Sequence, residues 1–331
     1  MSTLTDVREL TFAQAINEAL TEEFERDERV ILIGEDVGRA GGVYKISEGL
    51  YDRFGPERVI DSPISEAGIT GVALGAAMTG LRPVVELMFG DFTTLAMDQI
   101  VNQAAKVRYM SGGALAAPLV VRTTLGAGRS LGAQHSQSLH AWFAHVPGLK
   151  VLMPGSPEDA KGLLKAAIRS DDPVVYFEDK AAYRERGPVP SGDVVTPIGV
   201  ARICREGSDV TLVAISSMVT VALAAAHELE GHGISAEVVD PRSLTPLDEA
   251  TLLASVAKTS RCIVIDEGHG RFGASAELAA VIARGAFFHL NAPVERIAAS
   301  DVPVPFNPRL EAATIPDAER VVASARAMVG R

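Results

Sequence analysis

Short, largely apolar runs alternate with longer stretches in which apolar positions recur every three or four residues, and this rhythm persists along the chain. The short runs Val30–Ile33, Pro83–Leu87, Pro118–Arg122, Lys150–Met153 and Pro173–Glu178 read as strands of a sheet covered on both faces. Between them, helical periodicity marks a stretch from Thr11 to about Asp27, then Ala67–Gly80, Ala96–Met110 and Pro157–Arg169. Thr11 with Gln14 has the spacing of a capping box, so the first helix has a defined start. Strands that alternate with helices predict a mainly parallel, doubly wound α/β sheet.

The rhythm breaks over Ala181–Gly199, where Pro188, Pro190 and Pro197 fall among glycines and mixed charges, and this stretch reads as a linker. Beyond it the alternation resumes, with strands at Asp209–Ile215, Ser235–Val239 and Cys262–Asp266. Helices are predicted at Met218–Gly231, Leu247–Lys258, Ala274–Arg284 and Asp317–Met328. Two doubly wound domains are expected, residues 1–190 and 191–331, in keeping with a length of 331 residues.

Composition narrows the function classes. A net charge of −11 argues against a nucleic-acid partner, because a phosphate-binding surface needs clustered Lys and Arg. No run of eighteen apolar residues is present, which argues against a membrane span. The two cysteines, Cys204 and Cys262, sit beside strand-like runs and read as buried free thiols. The polar, acid-bearing stretch Met1–Leu10 has the character of neither a secretory signal nor a transit peptide, so a cytoplasmic location is expected.

Conventional motifs are weak. Gly126–Gly132 follows a strand like a dinucleotide loop, but its last glycine comes one residue late and no helix pattern opens there. Walker loop, nucleophile elbow and zinc-spaced His/Cys cluster are all missing from the sequence. Four glycines, Gly68, Gly71, Gly75 and Gly80, stud one predicted helix; either another backbone or ligand approaches there, or the core is simply tight. Glu66 opens that helix and has two readings, a carboxylate favouring the helix dipole or one held against a ligand nitrogen. Phe89 and Phe92 flank a strand end, as core rings or as a ring that stacks on a flat ligand. Gln134-His135-Ser136-Gln137 after the glycine-rich loop has the character of an active-site mouth, with His135 as a proton carrier near neutral pH.

Taken in order, several segments resemble one family: Gly34-Glu35-Asp36-Val37, Ser62-Pro63-Ile64-Ser65-Glu66-Ala67-Gly68-Ile69, Phe89-Gly90-Asp91-Phe92, Gln134-His135-Ser136-Gln137, Pro147–Val151 and Asp301-Val302-Pro303-Val304-Pro305. The set is similar to the beta subunits of the thiamine-diphosphate-dependent pyruvate, branched-chain 2-oxo acid and acetoin dehydrogenases. That resemblance implies a pyrimidine-binding domain followed by a transketolase C-terminal-like domain. It implies that Glu66 hydrogen-bonds the aminopyrimidine ring of thiamine diphosphate, that Phe92 stacks on that ring with Ile64 beside it, and that His135 serves proton transfer or the incoming lipoyl group. It also implies a potassium ion on mostly main-chain oxygens of Leu119, Ala167, Ile168, Ser170 and Asp172. The magnesium- and diphosphate-binding Gly-Asp-Gly…Asn motif of thiamine enzymes is missing from this sequence. An alpha subunit is therefore expected to supply it, usually in a heterotetramer with two of each chain, which passes an acyl group to a lipoyl acyltransferase core. Half of a split transketolase acting on sugar phosphates is the alternative within enzymes, and a non-catalytic scaffold the alternative outside them.

Overall fold

The computed structural model describes residues 6–330, so the first residues of the N-terminal stretch read above lie outside the described residues. The chain divides into two compact units. The first takes the chain up to Leu125 together with Trp142–Ile198, and the second takes Gly126–Ala141 together with the chain from Gly199 onward. A boundary at 190/191 leaves the segment 126–141 in the first domain, whereas here it packs with the second. Sequence pattern cannot show this, because it records order along the chain and not which core a loop joins.

In the first unit the elements run β1 (Val7–Thr11), α1 (Phe12–Arg26), β2 (Val30–Gly34), α2 (Leu50–Phe54), β3 (Val59–Asp61), α3 (Glu66–Met78), β4 (Arg82–Leu87), α4 (Ala105–Met110) and β5 (Val120–Leu125). After α5 (His140–Ala144) come β6 (Lys150–Leu152), α6 (Pro157–Arg169), β7 (Val174–Asp179) and β8 (Arg186–Pro190). Strands β6-β7-β5-β4-β2-β3 lie side by side, all parallel. Thr11 caps α1 as its spacing predicts, with both hydrogen bonds of the capping box present. Phe12, Ile16, Leu20 and Phe24 of α1 share a core with Leu163, Leu164 and Ile168 of α6.

Two expectations need correction. The helix expected over Ala96–Met110 is a 3₁₀ turn (Gly90–Ala96), a π-helical turn (Asp98–Ala104) and only then α4. Widened π turns occur frequently at functional sites. The stretch expected to be a linker contains β8, which pairs antiparallel with β1 and sets Pro188 opposite Glu9. Proline lacks the N–H a central strand must donate, but a two-stranded ribbon has outer edges that need no donor.

One charged cluster lies inside the first sheet. Glu86 of β4 and Arg122 of β5 face each other in register, and Glu178 of β7 joins from two residues beyond Arg122's other neighbour, Tyr176. Arg122 pairs with Glu86, and its Nε lies 2.6 Å from Glu178 Oε1; all three side chains are almost wholly buried. The Tyr183 hydroxyl donates to Glu178 at 2.6 Å. Burial pushes the Glu178 carboxyl up to about 7 even though Arg122 and Tyr183 pull it down.

The second unit comprises β9 (Arg202–Arg205), β10 (Val210–Ala214), α7 (Met218–Gly231), β11 (Ala236–Asp240), β12 (Ser243–Thr245), α8 (Glu249–Thr259) and β13 (Cys262–His269). It ends with α9 (Ala274–Gly285), β14 (Glu295–Ala299), α10 (Pro308–Thr314) and α11 (Ala318–Val329). Its sheet runs β14-β13-β10-β11-β9, parallel except for the edge strand β9. Cys262 is buried as expected, while Cys204 is only half-buried. Burial pushes the Cys262 thiol well above its ordinary range, which keeps it unreactive. Among the described residues no helix is long and apolar enough to cross a membrane.

Candidate functional site

In an open parallel sheet, side chains that meet a ligand gather beyond the carboxyl ends of the strands. Three neighbours in the first unit, β3, β2 and β4, end level with one another, with Gly34 paired to Asp61 on one side and to Glu86 on the other. The segments that leave these strands are therefore brought to one edge: Glu35 after β2, Ser62–Glu66 after β3, and Met88–Phe92 after β4.

Glu66 is the first residue of α3, whose N-cap Ser65 accepts from the Gly68 amide at 3.3 Å. The helix dipole favours a carboxylate at this position. Yet Glu66 is only 5% exposed, and its carboxylate has no hydrogen bond or ion pair among the described residues. The residue is largely withdrawn from water, and its carboxylate has acceptor capacity that no donor of this chain takes up among the described residues. Glu35 lies within electrostatic range. Burial first, then Glu66 and Asp36, raise its carboxyl above the ordinary value. Sequence reasoning quoted Glu35 only within Gly34-Glu35-Asp36-Val37 and gave it no role of its own. Its signal was position, one residue beyond the end of β2, which lies between β3 and β4.

The turn after β4 is fixed by a close approach. A Cβ on Gly90 would fall 2.6 Å from the carbonyl oxygen of Thr124, so only glycine fits. The turn carries Phe92, whose ring meets Phe89 edge to face at 5.8 Å, and the Phe92 amide donates to the Phe89 carbonyl at 2.9 Å. Phe89 is nearly buried and Phe92 is half-buried, so Phe89 belongs to the core and Phe92 is the more accessible ring of the two. Ile64 is 80% exposed, while Ile69 is buried, so of the two isoleucines near Glu66 only Ile69 packs inside this chain.

His135 belongs to the segment 126–141 of the second unit, and its amide donates to the Gly132 carbonyl at 3.3 Å. In the same segment His140 is buried, with Nε2 3.1 Å from Asp266 Oδ1. Burial alone would raise the Asp266 carboxyl. His140 and the amides of Gly268 and Ser275 outweigh it and hold the acid below its ordinary range. This pair serves the fold of the segment.

Of the oxygens considered for a potassium ion, those of Ala167, Ile168, Ser170 and Asp172 lie at the end of α6 and in the turn after it, and that of Leu119 lies just before β5. Leu119 O accepts from Val174 N at 2.9 Å and Ala167 O from Ser170 N at 3.1 Å. Arg82 Nη1 reaches Ile168 O at 2.9 Å and Ser170 O at 3.1 Å, and Ser170 Oγ donates to Asp172 O at 3.0 Å. Each carbonyl oxygen has a second lone pair, so this cradle could be shared with an ion. No group of three or more His, Cys, Asp or Glu among the described residues could hold a metal.

Comparison with known proteins shows the family. Residues 8–186 match the family described as transketolase, pyrimidine binding domain, and residues 199–321 match transketolase, C-terminal domain. The chain is 52% identical over 324 residues to the mitochondrial pyruvate dehydrogenase E1 component subunit beta-2 of Oryza sativa subsp. japonica, covering 96% of this chain and 86% of that one. It is 48% identical to the acetoin:2,6-dichlorophenolindophenol oxidoreductase subunit beta of Bacillus subtilis, with 98% of both chains covered. The 2-oxoisovalerate dehydrogenase subunit beta of Bacillus subtilis is 46% identical, covering 96% of this chain and 98% of that one. Among solved structures, a split gene transketolase in an inactive beta4 tetramer superposes with a TM-score of 0.79 at 25% identity, covering 97% of this chain and 98% of that one.

Proposed function

The chain belongs to the beta-subunit family of the thiamine-diphosphate-dependent 2-oxo acid dehydrogenases, and we propose that it forms half of a decarboxylating active site completed by an alpha subunit. The observation that carries this reading is Glu66, a buried carboxylate at a helix start with no partner of its own among the described residues. Thiamine diphosphate, when bound, supplies the nucleophilic carbon and the electron sink. The residues present fit its aminopyrimidine end: Glu66 offers a hydrogen-bond acceptor for a ring nitrogen, and Phe92 offers a face. Glu66 then holds the proton at that nitrogen, with Glu35 beside it keeping the edge rich in carboxyl groups. The diphosphate end has no such fit in this sequence, which has no Gly-Asp-Gly…Asn motif for magnesium. We assign that end, and the magnesium ion, to the alpha subunit. His135 acts at the acceptor step, where an acyl group passes to a lipoyl arm of an acyltransferase core. A split transketolase shares the fold, but the match there is 25% identical, against 46–52% for the dehydrogenase subunits.

The alpha subunit needs a surface, and α3 offers one. A Cβ on Gly75 would meet nothing within 4 Å, and one on Gly71 would meet only Gln99 at 3.6 Å. Val72 between them is 65% exposed, so the glycine face is not spent on this chain's own core. Small residues on a helix face let another helix approach closely, and this favours an approaching backbone over a tight core as the reason for the glycines. Gly75→Leu is expected to leave the lone chain at least as stable, since leucine favours a helix over glycine by up to about 1 kcal/mol. The same change should stop co-elution with the alpha subunit in gel filtration; an unchanged assembly would sink this assignment. The potassium proposal has its own test. Potassium chloride should raise the melting temperature above that in sodium chloride of equal ionic strength, and identical melting curves would remove the ion.

A further inference from the structure

The loop Gly126–Gly132 has the look of a phosphate-binding turn, and the structure shows what it holds instead. Gly126, Gly128, Ser130 and Gly132 all take left-handed backbone angles, with φ of 92°, 85°, 55° and 76°. Left-handed residues at alternate positions turn successive amides toward one side and create a concave anion site. The anion is a carboxylate of this chain. The Gly128 amide donates to Glu311 Oε1 at 2.9 Å, and the Ser130 amide donates to Oε2 at 2.9 Å and Oε1 at 3.1 Å. The Ser130 hydroxyl adds a contact to Oε2 at 3.3 Å. The Ala127 amide goes to a second carboxylate, Glu267 Oε1, at 2.5 Å. Glu311 is 3% exposed and sits on α10, whose start is capped by Asn307. A Cβ on Gly132 would lie 3.8 Å from the Phe306 side chain, so the segment before α10 touches the loop a second time.

We propose that Glu311, assisted by Glu267, is a positioning residue that sets the loop carrying His135 for the acyl-transfer step, and that this nest is closed to nucleotide phosphates. The clamp ends at Ser130, and the turn that places His135 begins two residues later with the Gly132 to His135 hydrogen bond. Between them the chain forms neither helix nor strand. Charge-assisted bonds to two amides are the strong kind, so the Glu311 carboxylate fastens the glycine-rich start of the segment, as His140 with Asp266 fastens its end. This inference rests on the reading that His135 acts with the lipoyl acceptor.

The test uses the chain assembled with its alpha subunit, thiamine diphosphate, magnesium and a free lipoyl domain. For Glu311→Ala, acylation of the lipoyl domain is expected to fall about tenfold further than dye-coupled decarboxylation, because sub-ångström misplacement of a reacting group is costly. Glu311→Gln keeps one oxygen acceptor and should fall between the parent and the Ala variant. Hydrogen exchange at the amides of residues 128 and 130 should quicken in the Ala variant while the strand amides of β10 and β13 stay protected. His135→Ala is the control. If it loses acylation and Glu311→Ala does not, the positioning proposal is overturned and the role of His135 stands. If His135→Ala itself acylates normally, the reading beneath the proposal is the one that fails. Unchanged exchange at residues 128 and 130 overturns the clamp whichever way the kinetics fall.

Discussion

Glu66→Gln in the assembled enzyme is expected to lower dye-coupled 2-oxo acid decarboxylation by about a hundredfold or more, the range for removing a positioned proton-transfer group. Glutamine is nearly the same size and keeps an oxygen acceptor, so the cofactor's affinity should change far less than the rate. The distinction comes from the site. Glu66 is 5% exposed and has no donor of its own among the described residues, and in the proposed function it holds a proton that arrives with the ligand. An amide can accept a hydrogen bond but cannot share that proton. Calorimetric titration of thiamine diphosphate with magnesium, run beside the dye-coupled assay, separates the two effects. A variant with an unchanged rate would remove Glu66 from the chemistry. Tight binding of the cofactor to the lone chain would end the half-site proposal, because the chain would then own a diphosphate site.

Arg122→Met should produce the largest loss of stability. Arg122 is the cation between Glu86 and Glu178 inside the first sheet, and burial, which works against its charge, is overcome by those two carboxylates. Removing it strands two acids where water cannot reach them. Breaking a buried pair in this way typically costs about 3–5 kcal/mol, readable as a shifted urea midpoint. Burial is the first reason the Glu178 carboxyl is pushed up to about 7; Glu86 adds to it, while Arg122 and Tyr183 oppose it. The folded state therefore holds a proton that the unfolded chain, with an ordinary carboxyl, releases at lower pH. Glu178's share of the stability is present below the unfolded value, fades as pH rises toward about 7, and is constant above it. Glu178→Gln should flatten that part of the stability–pH curve. A slope identical to the parent protein's would show that the cluster titrates elsewhere. A urea midpoint for Arg122→Met within experimental error of the parent's would show the arginine to be dispensable.

The family was legible because its evidence is local. The ordered segments from Gly34-Glu35-Asp36 to Asp301-Val302-Pro303 are each contiguous along the chain, and each keeps its meaning without knowledge of the fold. The start of α1 was legible for the same reason, since a capping box acts over three residues. Other features were not. Pro188 and Pro190 argued for a linker, because the exemption that lets them stand in β8 is the open edge of a ribbon formed with β1, far away in sequence. The helix read over Ala96–Met110 has the right periodicity, but periodicity does not distinguish α from the 3₁₀ and π turns found there.

At the site, the sequence by itself determined which residue types were on offer: a carboxylate at a helix start, rings after a strand, a histidine after a glycine-rich loop. Only the tertiary structure decided between their readings. Glu66 proved to be 5% exposed, and Phe89 and Phe92 separated into a nearly buried ring and a half-buried one. Glu35 joined the site because β2 lies between β3 and β4, and Glu311 became the partner of a loop 183 residues upstream. The physical reason is common to all of these. Propensity and capping act between neighbours in the chain, whereas desolvation, electrostatic coupling and the satisfaction of buried amides depend on distances that exist only after folding.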